Sequence, residues 1–326
     1  MVQPMEYTTF GRTGLRVSVA GLGCGGGSQL GMAQNKSEAH SMGLIRQAMD
    51  LGVNLIDTAR VYGTESIVGK AIKSVPRDQV IISTKQTVNR GGQETSAEDI
   101  VNSVDEALRQ IDTDYIDIFH LHSLSTKTYQ HAKNILVPAL LREKAKGKIR
   151  FLGATELGPM DHGHDMLSLV FEDDLFDVVM LAFNIMHQNA RTLVFPQTQA
   201  LGIGTMIMFA VRAVFSVPGR LQQDVSELVE AGQLPEWFKE KSNPLDFLIH
   251  EGGAESVIDA AYRYVRHQKG TDVILFGTGD PEHLKTNLSS ILKPPLPSDD
   301  VEKIHELFGH LVGVGLDYPG GRKPQQ

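Results

Sequence analysis

The chain alternates between two kinds of segment that differ in the spacing of their apolar residues. Residues 38–51 have apolar positions at the helical period and end at Gly52, and the short apolar run 53–57 follows them. This order of helix and strand repeats along most of the chain. The further predicted helices are 65–73, 97–110, 135–146, 166–171, 190–200 and 256–267, and the further predicted strands are 80–85, 115–121, 148–154, 177–182, 204–208 and 273–276.

Short strands separated by helices predict parallel pairing, because parallel neighbours need a crossover connection and the crossover helices cover the sheet. With residues 17–20 counted as the first strand, the pattern gives eight strands. Eight units of roughly 40 residues each predict an α/β fold of the (β/α)₈ TIM barrel type, with an open doubly wound sheet as the alternative. We expect one barrel domain over residues 1–326.

Two segments depart from the repeat. Residues 6–10 and 15–20 flank an Arg-Thr-Gly step and predict a short N-terminal hairpin, which the glycine-rich segment 21–27 follows. We expect these glycines to give substrate and cofactor room to approach. Residues 212–253, between strand 7 and helix 7, contain turn formers and no strand pattern. We expect this long loop to cover the substrate pocket with Trp237, Phe238 and Phe247 facing inward, with packing against the side of the barrel as the alternative.

Composition narrows the class of protein. Of the 326 residues, 41% are hydrophobic, which is enough to bury a large core. The formal charge of −8 disfavours nucleic acid or an anionic membrane as a partner, because either would favour clustered Lys and Arg. The single cysteine, Cys24, cannot form an intramolecular disulfide, and no apolar run is long enough to span a bilayer. The N-terminal sequence does not have the pattern of a signal peptide, so a cytoplasmic location is expected.

Polar residues stand at the ends of three successive predicted strands. The second strand ends at Asp57 and leads to Tyr62. The third ends at Lys85, and the fourth is followed by His122. Each residue alone has an ordinary structural explanation, such as a helix cap at Asp57, but the C-terminal ends of barrel strands line one pocket, so together they predict an active site. His120 has the same strand parity as His122 one layer deeper and is the alternative imidazole.

The segments around these residues resemble motifs of the aldo-keto reductase family. The resemblance is carried by residues 52–63 (GVNLIDTARVYG), 82–85 (ISTK), 114–122 (DYIDIFHLH), 147–153 (GKIRFLG) and 277–287 (GTGDPEHLKTN), and it extends from about residue 7 to residue 292. It implies a (β/α)₈ barrel and an NAD(P)H-dependent oxidoreductase that moves hydride between nicotinamide and a small-molecule carbonyl or alcohol. It also implies a catalytic tetrad of Asp57, Tyr62, Lys85 and His122.

The chemistry of this tetrad follows from acid–base arguments. Hydride delivered to a carbonyl carbon leaves charge on the oxygen, which must receive a proton from a positioned acid. A free phenol, with a pKa of about 10, gives up its proton reluctantly at neutral pH. We expect the ammonium of Lys85 to lower the pKa of Tyr62, and Asp57 to hold that ammonium in place. His122 would hydrogen-bond the substrate oxygen, and the proposed chemistry needs no metal.

The resemblance also implies residues for the nicotinamide end of the cofactor. Thr155 and Asn184 match positions that hold the carboxamide, and Phe209 is the aromatic residue expected to stack on the nicotinamide ring. Where many members have Asn and Gln, this chain has Glu156 and Met180, of which the first only accepts hydrogen bonds when ionised and the second cannot replace an amide. This departure leaves open a cofactor-binding regulatory subunit with slow turnover. A sugar-phosphate isomerase on the same barrel is a third alternative.

Residues after the eighth strand bear on the choice of cofactor. The phosphate and adenine contacts that the resemblance implies fall on Gly277, Thr278, Gly279, His283 and Asn287. Backbone amides at the start of the following helix could receive a phosphate. Lys285 and His283 can meet the 2′-phosphate, Asp280 opposes it, and no acidic residue is placed to grip both ribose hydroxyls. We therefore predict that NADP(H) is favoured over NAD(H) by roughly tenfold.

Overall fold

Eight parallel strands close into a barrel in the computed structural model, which describes residues 3–317. The strands in chain order are β1 (Tyr7–Thr9), β2 (Arg16–Ser18), β3 (Ala20–Gly23), β4 (Leu55–Asp57), β5 (Ile81–Thr87), β6 (Asn89–Arg90), β7 (Gln93–Glu94), β8 (Ile116–Leu124), β9 (Ile149–Glu156), β10 (Val178–Ala182), β11 (Gly204–Met208) and β12 (Val273–Phe276). The barrel order is β3, β4, β5, β8, β9, β10, β11 and β12, with β12 pairing back onto β3. The predicted (β/α)₈ barrel is confirmed, and the open sheet is excluded.

Helices connect the barrel strands and cover their outer faces. They are α1 (Glu38–Asp50), α2 (Glu65–Ile72), α3 (Ala97–Ile111), α4 (Thr126–His131), α5 (Val137–Ala145), α6 (Asp165–Asp173), α7 (Ala190–Leu193), α8 (Phe195–Leu201), α9 (Ala213–Ser216), α10 (Arg220–Glu230), α11 (Val257–Arg266), α12 (Pro281–Leu292) and α13 (Ser298–Phe308). Ser37, Ser96 and Ser256 cap α1, α3 and α11, each accepting a hydrogen bond from a backbone N–H of the first turn. None of the helices within residues 3–317 is long and apolar enough to cross a membrane.

The first barrel strand lies later in the chain than predicted. Val17 belongs to β2, which pairs antiparallel with β1, and the barrel strand is β3. The pattern misses β3 because its glycines carry no apolar signal. The barrel interior nevertheless requires a small residue there, since a Cβ on Gly21 would lie 2.9 Å from Cγ1 of Val273 and 3.0 Å from Cδ2 of Leu55.

The N-terminal hairpin, present as predicted, closes one end of the barrel. Phe10, Leu15 and Val17 form a buried cluster with residues of the barrel strands, namely Leu55, Ile81, Ile118, Val178, Met180, Met206 and Val273. The ring of Phe10 packs against Gly204, the first residue of β11. A Cβ on this glycine would lie 2.7 Å from Cδ2 of Phe10, so the close approach requires glycine. The N-terminal ends of the strands are therefore covered, which leaves the C-terminal ends for a pocket.

The segment 212–253 contains α9, α10 and two short 3₁₀ turns, and its aromatic residues do not face the pocket. Trp237 is 43% exposed and stacks on Phe238, with ring centroids 4.0 Å apart. Phe238 is buried, and its ring centroid lies 5.8 Å from that of Phe308 in α13. The ring of Phe247 lies 4.5 Å from Nζ of Lys303, also in α13. The inward-facing arrangement is therefore wrong, because α13, which the sequence pattern did not identify, offers Phe238 the ring of Phe308 and Phe247 the ammonium of Lys303.

Candidate active site

A cavity of about 500 Å³ opens at the C-terminal ends of the barrel strands, the end at which barrels of this kind build their sites. Lys85 lies below the cavity, in contact with Asp57. The three strand ends singled out in the sequence therefore converge on one pocket. The predicted site residues that line it are Asp57, Tyr62, His122, Thr155, Phe209 and Gly277.

Asp57 and Lys85 form a buried ion pair. Nζ of Lys85 lies 2.5 Å from Oδ1 of Asp57 and donates to the carbonyl oxygen of Thr58 at 2.8 Å. Oδ1 of Asp57 also accepts a hydrogen bond from Oγ of Ser83 at 2.7 Å, because β4 and β5 pair in a register that sets these two residues side by side. The side chains are 5% exposed or less, so removing either one would leave an uncompensated charge in the interior.

Tyr62 ends the 3₁₀ turn Arg60–Tyr62 just beyond β4. Gly63 follows it with a φ of 69°, a left-handed conformation that glycine adopts without steric cost. The phenol ring packs on the backbone of Gly25, where a Cβ would lie 2.5 Å from Cε2 of Tyr62. Nζ of Lys85 lies 5.3 Å from the ring centroid. One glycine of the run after the first barrel strand therefore makes room for the phenol itself.

The protonation of Tyr62 differs from the expectation. Burial raises the pKa of the phenol well above its ordinary value, and the carboxylate of Asp57 raises it further. The guanidinium of Arg212 opposes this rise. The predicted lowering of the pKa is therefore wrong for the protein alone, because burial and the carboxylate of Asp57 outweigh the ammonium of Lys85. Tyr62 keeps its proton at neutral pH.

His122 faces the cavity and His120 does not. The side chain of His120 is 0% exposed and packs against β9, where a Cβ on Gly153 would overlap its imidazole. The ring of His122 lies edge-on to that of Tyr62, with centroids 5.8 Å apart. Burial, together with the charge of Lys85, lowers the pKa of His122 to about 3. His122 is therefore a neutral imidazole at physiological pH.

An irregularity in β8 follows His122. The pairing of β8 with β9 changes register between Leu121 and Leu124, and Ser123 has a φ of 56°, which is uncommon for a residue other than glycine. The N–H of Ser123 donates to Oγ1 of Thr155 at 2.8 Å. Bulges at barrel rims redirect side chains in this way. Here the bulge fixes the hydroxyl oxygen of Thr155 and leaves its hydrogen to donate into the cavity.

Phe209 and Arg212 follow β11 and line the cavity together. Phe209 has a φ of 66°, and this left-handed conformation costs a residue with a Cβ about 1–2 kcal/mol. The guanidinium carbon of Arg212 lies 4.5 Å from the centroid of the Phe209 ring. One face of the ring is thus covered, and a nicotinamide could stack only on the other. Sequence reasoning missed Arg212, whose one signal was a basic residue shortly after a strand end.

Glu156 belongs to a buried network. Its Oε1 accepts a hydrogen bond from the N–H of Ala182 at 2.7 Å, and its Oε2 lies 2.7 Å from Nδ1 of His164. Nε2 of His164 lies 3.1 Å from Oδ1 of Asn189. Burial raises the pKa of Glu156. Burial alone would lower the pKa of His164, but the hydrogen bond and the charge of Glu156 outweigh this effect and raise it. The pair therefore holds one proton between its members, and Glu156 has a structural partner that the sequence did not reveal.

Met180 and Asn184 were both considered for the nicotinamide end of the cofactor, but only the first of them lines the cavity. Met180 lines the cavity with an apolar surface. Asn184 is 0% exposed, its Oδ1 accepts from the N–H of Met186 at 2.7 Å, and its Nδ2 donates to the carbonyl of Val314 at 3.3 Å. The structure does not bring Asn184 to the pocket, because both ends of its amide are bound to the backbone.

The predicted phosphate site at the start of α12 is capped by the protein. The side chain of Asp280 accepts hydrogen bonds from the N–H groups of Glu282 and His283 at 2.7 and 3.1 Å. These bonds lower the pKa of Asp280, so the cap is ionised at neutral pH. The prediction that these amides receive a cofactor phosphate requires the carboxylate to move, since both groups are negative.

The remaining residues predicted for this end of the cofactor lie around the cap. Gly277 lines the cavity, whereas Oγ1 of Thr278 accepts the N–H of Asp280 at 3.0 Å. The carbonyl of Gly279 lies 2.8 Å from an imidazole nitrogen of α1. The structure thus brings only the first of these three residues to the pocket. Two further predicted residues, His283 and Asn287, lie on α12, the first exposed and the second half-buried.

Comparison with known proteins agrees with this geometry. The model of the aldo/keto reductase family matches residues 22–308. The chain therefore belongs to the aldo-keto reductase family, whose members generally catalyse NAD(P)H-dependent reduction of small-molecule carbonyl compounds. The match places the chain among NAD(P)H oxidoreductases and does not favour the regulatory-subunit alternative.

Similar proteins cover nearly the whole chain. Aldo-keto reductase YhdN of Bacillus subtilis (strain 168) is 30% identical over 96% of this chain and 97% of its own length. L-galactose dehydrogenase of Arabidopsis thaliana is 28% identical over 97% of this chain and 98% of its own. Among solved structures, the holo form of aldo-keto reductase AKR11C1 from Bacillus halodurans superposes with a TM-score of 0.72 at 21% identity, covering 93% of this chain and 96% of that one. The structural likeness supports the fold.

Proposed function

We propose that the protein reduces an aldehyde or ketone, or oxidises the corresponding alcohol, with Tyr62 as the general acid or base. The observation that carries the proposal is the placement of this phenol in the cavity, beside the Asp57–Lys85 ion pair and edge-on to the ring of His122. The single domain and the cytoplasmic location expected from the sequence are part of the same proposal.

The described residues fit a nicotinamide cofactor. Bound NAD(P)H would supply hydride to the carbonyl carbon. The hydroxyl of Thr155 would hold the nicotinamide carboxamide and the free face of Phe209 would stack on the ring. Gly277 lets a ligand approach the backbone at the cavity edge, where a Cβ would lie 3.1 Å from the carbonyl oxygen of Gly23. Within residues 3–317, no group of three or more His, Cys, Asp or Glu side chains is arranged to hold a metal ion.

Tyr62 supplies the proton in the direction of reduction. Because burial raises its pKa, the phenol is protonated over the whole physiological range and is ready to donate. As charge develops on the substrate oxygen, transfer of the phenolic proton creates a phenolate, which the Lys85 ammonium stabilises. Asp57 keeps this ammonium in position. In the reverse direction, Tyr62 would first have to lose its proton, and the resulting phenolate would accept the proton of an alcohol.

His122 orients the substrate oxygen. Its Nδ1 is buried without a hydrogen-bond partner in the described part of the chain, which leaves Nε2 as the ring nitrogen available to a ligand in the cavity. A neutral imidazole that carries its proton on Nε2 can donate to the carbonyl oxygen. This hydrogen bond would hold the oxygen near the phenol of Tyr62 and would strengthen as negative charge develops there.

We also propose a modest preference for NADP(H), with NAD(H) accepted. His283 is exposed on α12, and Lys285 is bound to Glu282 in an ion pair at the surface, where such pairs are weak and exchange partners readily. Both side chains are therefore available to a 2′-phosphate. The carboxylate of Asp280 limits the advantage, which we expect to be roughly tenfold.

Absorbance at 340 nm tests the proposal directly. Purified protein should oxidise NADPH in the presence of at least one member of a panel of aldehydes, ketones and sugars, and the product should be the alcohol. Lys85→Met, which removes the ammonium at similar side-chain length, should reduce turnover by at least about a hundredfold. Tight binding of NADPH with no turnover on any carbonyl would instead support the regulatory alternative.

A further inference from the structure

The charged side chains that line the cavity differ in whether a group of opposite charge, or an imidazole, is paired with them. They are Asp57, Glu156 and Arg212, and the first two are paired with buried cationic or imidazole groups beneath the cavity surface. Arg212 has no carboxylate oxygen within ion-pair distance among residues 3–317. An arginine in a pocket without a carboxylate partner is an available site for an anion.

The contacts of Arg212 leave part of its guanidinium free. Nη2 donates to the backbone carbonyl of Asp317, and the guanidinium lies over the ring of Phe209. The carboxylate of Asp317 acts on Arg212 from nearby, but its two oxygens accept hydrogen bonds from Arg220 at 3.0 and 3.2 Å. Nε and Nη1 of Arg212 have no protein acceptor in the described part of the chain. These groups can donate to a ligand.

The position of Arg212 restricts where such an anion would lie. Its charge is close enough to act on the phenol of Tyr62. Met180 and Met208 also line the cavity and give it an apolar wall. A ligand that fits this arrangement has an apolar body with a carbonyl at one point and an anionic group nearby.

We propose that Arg212 determines substrate specificity by binding a carboxylate carried by the carbonyl substrate, so that the preferred substrates are aldehyde acids or keto acids. This inference rests on the proposed reductase function and adds a substrate class to it. The planar guanidinium matches the geometry of a carboxylate, and the strained backbone of Phe209 holds the stacked ring that positions it. The carboxylate does not react; it orients the carbonyl toward Tyr62 and His122.

The experiment compares a charged substrate with a neutral analogue of the same shape. Wild-type kcat/KM with NADPH should be about 10- to 100-fold higher for 4-carboxybenzaldehyde than for 4-carbamoylbenzaldehyde, as expected for a charge-assisted contact. Arg212→Gln should bring this ratio close to one, mainly through KM, and Arg212→Lys should restore part of it. Lys239→Gln is the matched control, because it removes one positive charge from the same segment at an exposed position outside the cavity.

Two further measurements separate the outcomes. The Kd for NADPH should stay within about threefold in Arg212→Gln; a tenfold weaker Kd with an unchanged substrate ratio would assign the guanidinium to a cofactor phosphate and overturn the proposal. Calorimetry with benzoate and benzamide measures the site without turnover. Benzoate binding that Arg212→Gln abolishes would support the anion site even if no carbonyl were reduced, in which case the proposed reductase function alone would fail. Equal binding of benzoate to both proteins would overturn the inference.

Discussion

Removal of the imidazole of His164 should destabilise the protein strongly, because Glu156 would lose its buried partner. The side chains of the two residues are 1% and 0% exposed, and Nδ1 and Oε2 are 2.7 Å apart. Breaking a buried pair by removing one member costs about 3–5 kcal/mol. At about 2.1 cal/mol/K per residue, unfolding of 326 residues has an entropy near 0.7 kcal/mol/K, so His164→Ala should lower Tm by about 4–7 °C.

Glu156→Gln is the informative counterpart. A glutamine can accept from the N–H of Ala182 with its oxygen and donate from its amide to Nδ1 of a neutral His164, whose Nε2 then donates to Asn189. Every hydrogen bond of the network is thus retained without a charge. We expect this substitution to cost less than about 1.5 kcal/mol.

Wild type and Glu156→Gln should also differ in the pH dependence of stability. Because the pKa of His164 is raised in the folded protein, its stabilising contribution is fully present below the unfolded value of about 6.5 and is lost as pH rises through the folded value. The neighbouring His187, 5.2 Å away, has a pKa lowered to about 3, mainly by burial, and stays neutral in this window. Differential scanning calorimetry between pH 6 and 9 should show a loss of Tm for wild type that Glu156→Gln lacks. A loss of less than 1 kcal/mol in His164→Ala, or parallel pH profiles for wild type and Glu156→Gln, would refute the reasoning.

Three further predictions concern catalysis. Burial and the charge of Lys85 lower the pKa of His122 to about 3, and burial raises the pKa of Tyr62, so neither residue titrates between pH 5 and 9. The kcat/KM for reduction should therefore be flat over this range, and an inflection near pH 6.5 would contradict this. Gly25→Ala should displace the phenol ring, because the new Cβ would lie 2.5 Å from its Cε2, and should lower kcat at least tenfold, whereas Gly27→Ala, with no neighbour within 4 Å, should leave kcat unchanged. The NADPH to NADH ratio of kcat/KM should be about ten at low salt and fall as salt screens the contact; a ratio below one at low salt would refute it.

Periodicity predicts most of the fold because the barrel strands are apolar on both faces and the helices on one. β11 and β12 coincide with their predicted ranges, Gly204–Met208 and Val273–Phe276. β3 was misplaced because glycine carries no hydrophobic signal even where the interior demands it. α13 was missed because it follows the last strand, outside the repeat of helix and strand. α9 and α10 were missed because they lie in the segment 212–253, which was expected to be a loop.

Site residues at strand ends were predictable, and those fixed by tertiary partners were not. Strand parity and topology suffice to bring Asp57 and Lys85 together. No local pattern reveals that Glu156 pairs with His164, or that the amide of Asn184 is bound to distant backbone groups. Arg212 was overlooked for the same reason, since its lack of a carboxylate partner is a property of the packed pocket.

The central claim is that Tyr62 donates the proton during carbonyl reduction, and Tyr62→Phe tests it most directly because it removes the hydroxyl with little change in volume. The measurement is single-turnover oxidation of bound NADPH at 340 nm with the best substrate of wild type, together with the Kd for NADPH by fluorescence titration. The account predicts an unchanged Kd and a rate at least about a hundredfold lower. A rate within a few-fold of wild type, with the same Kd, would contradict it.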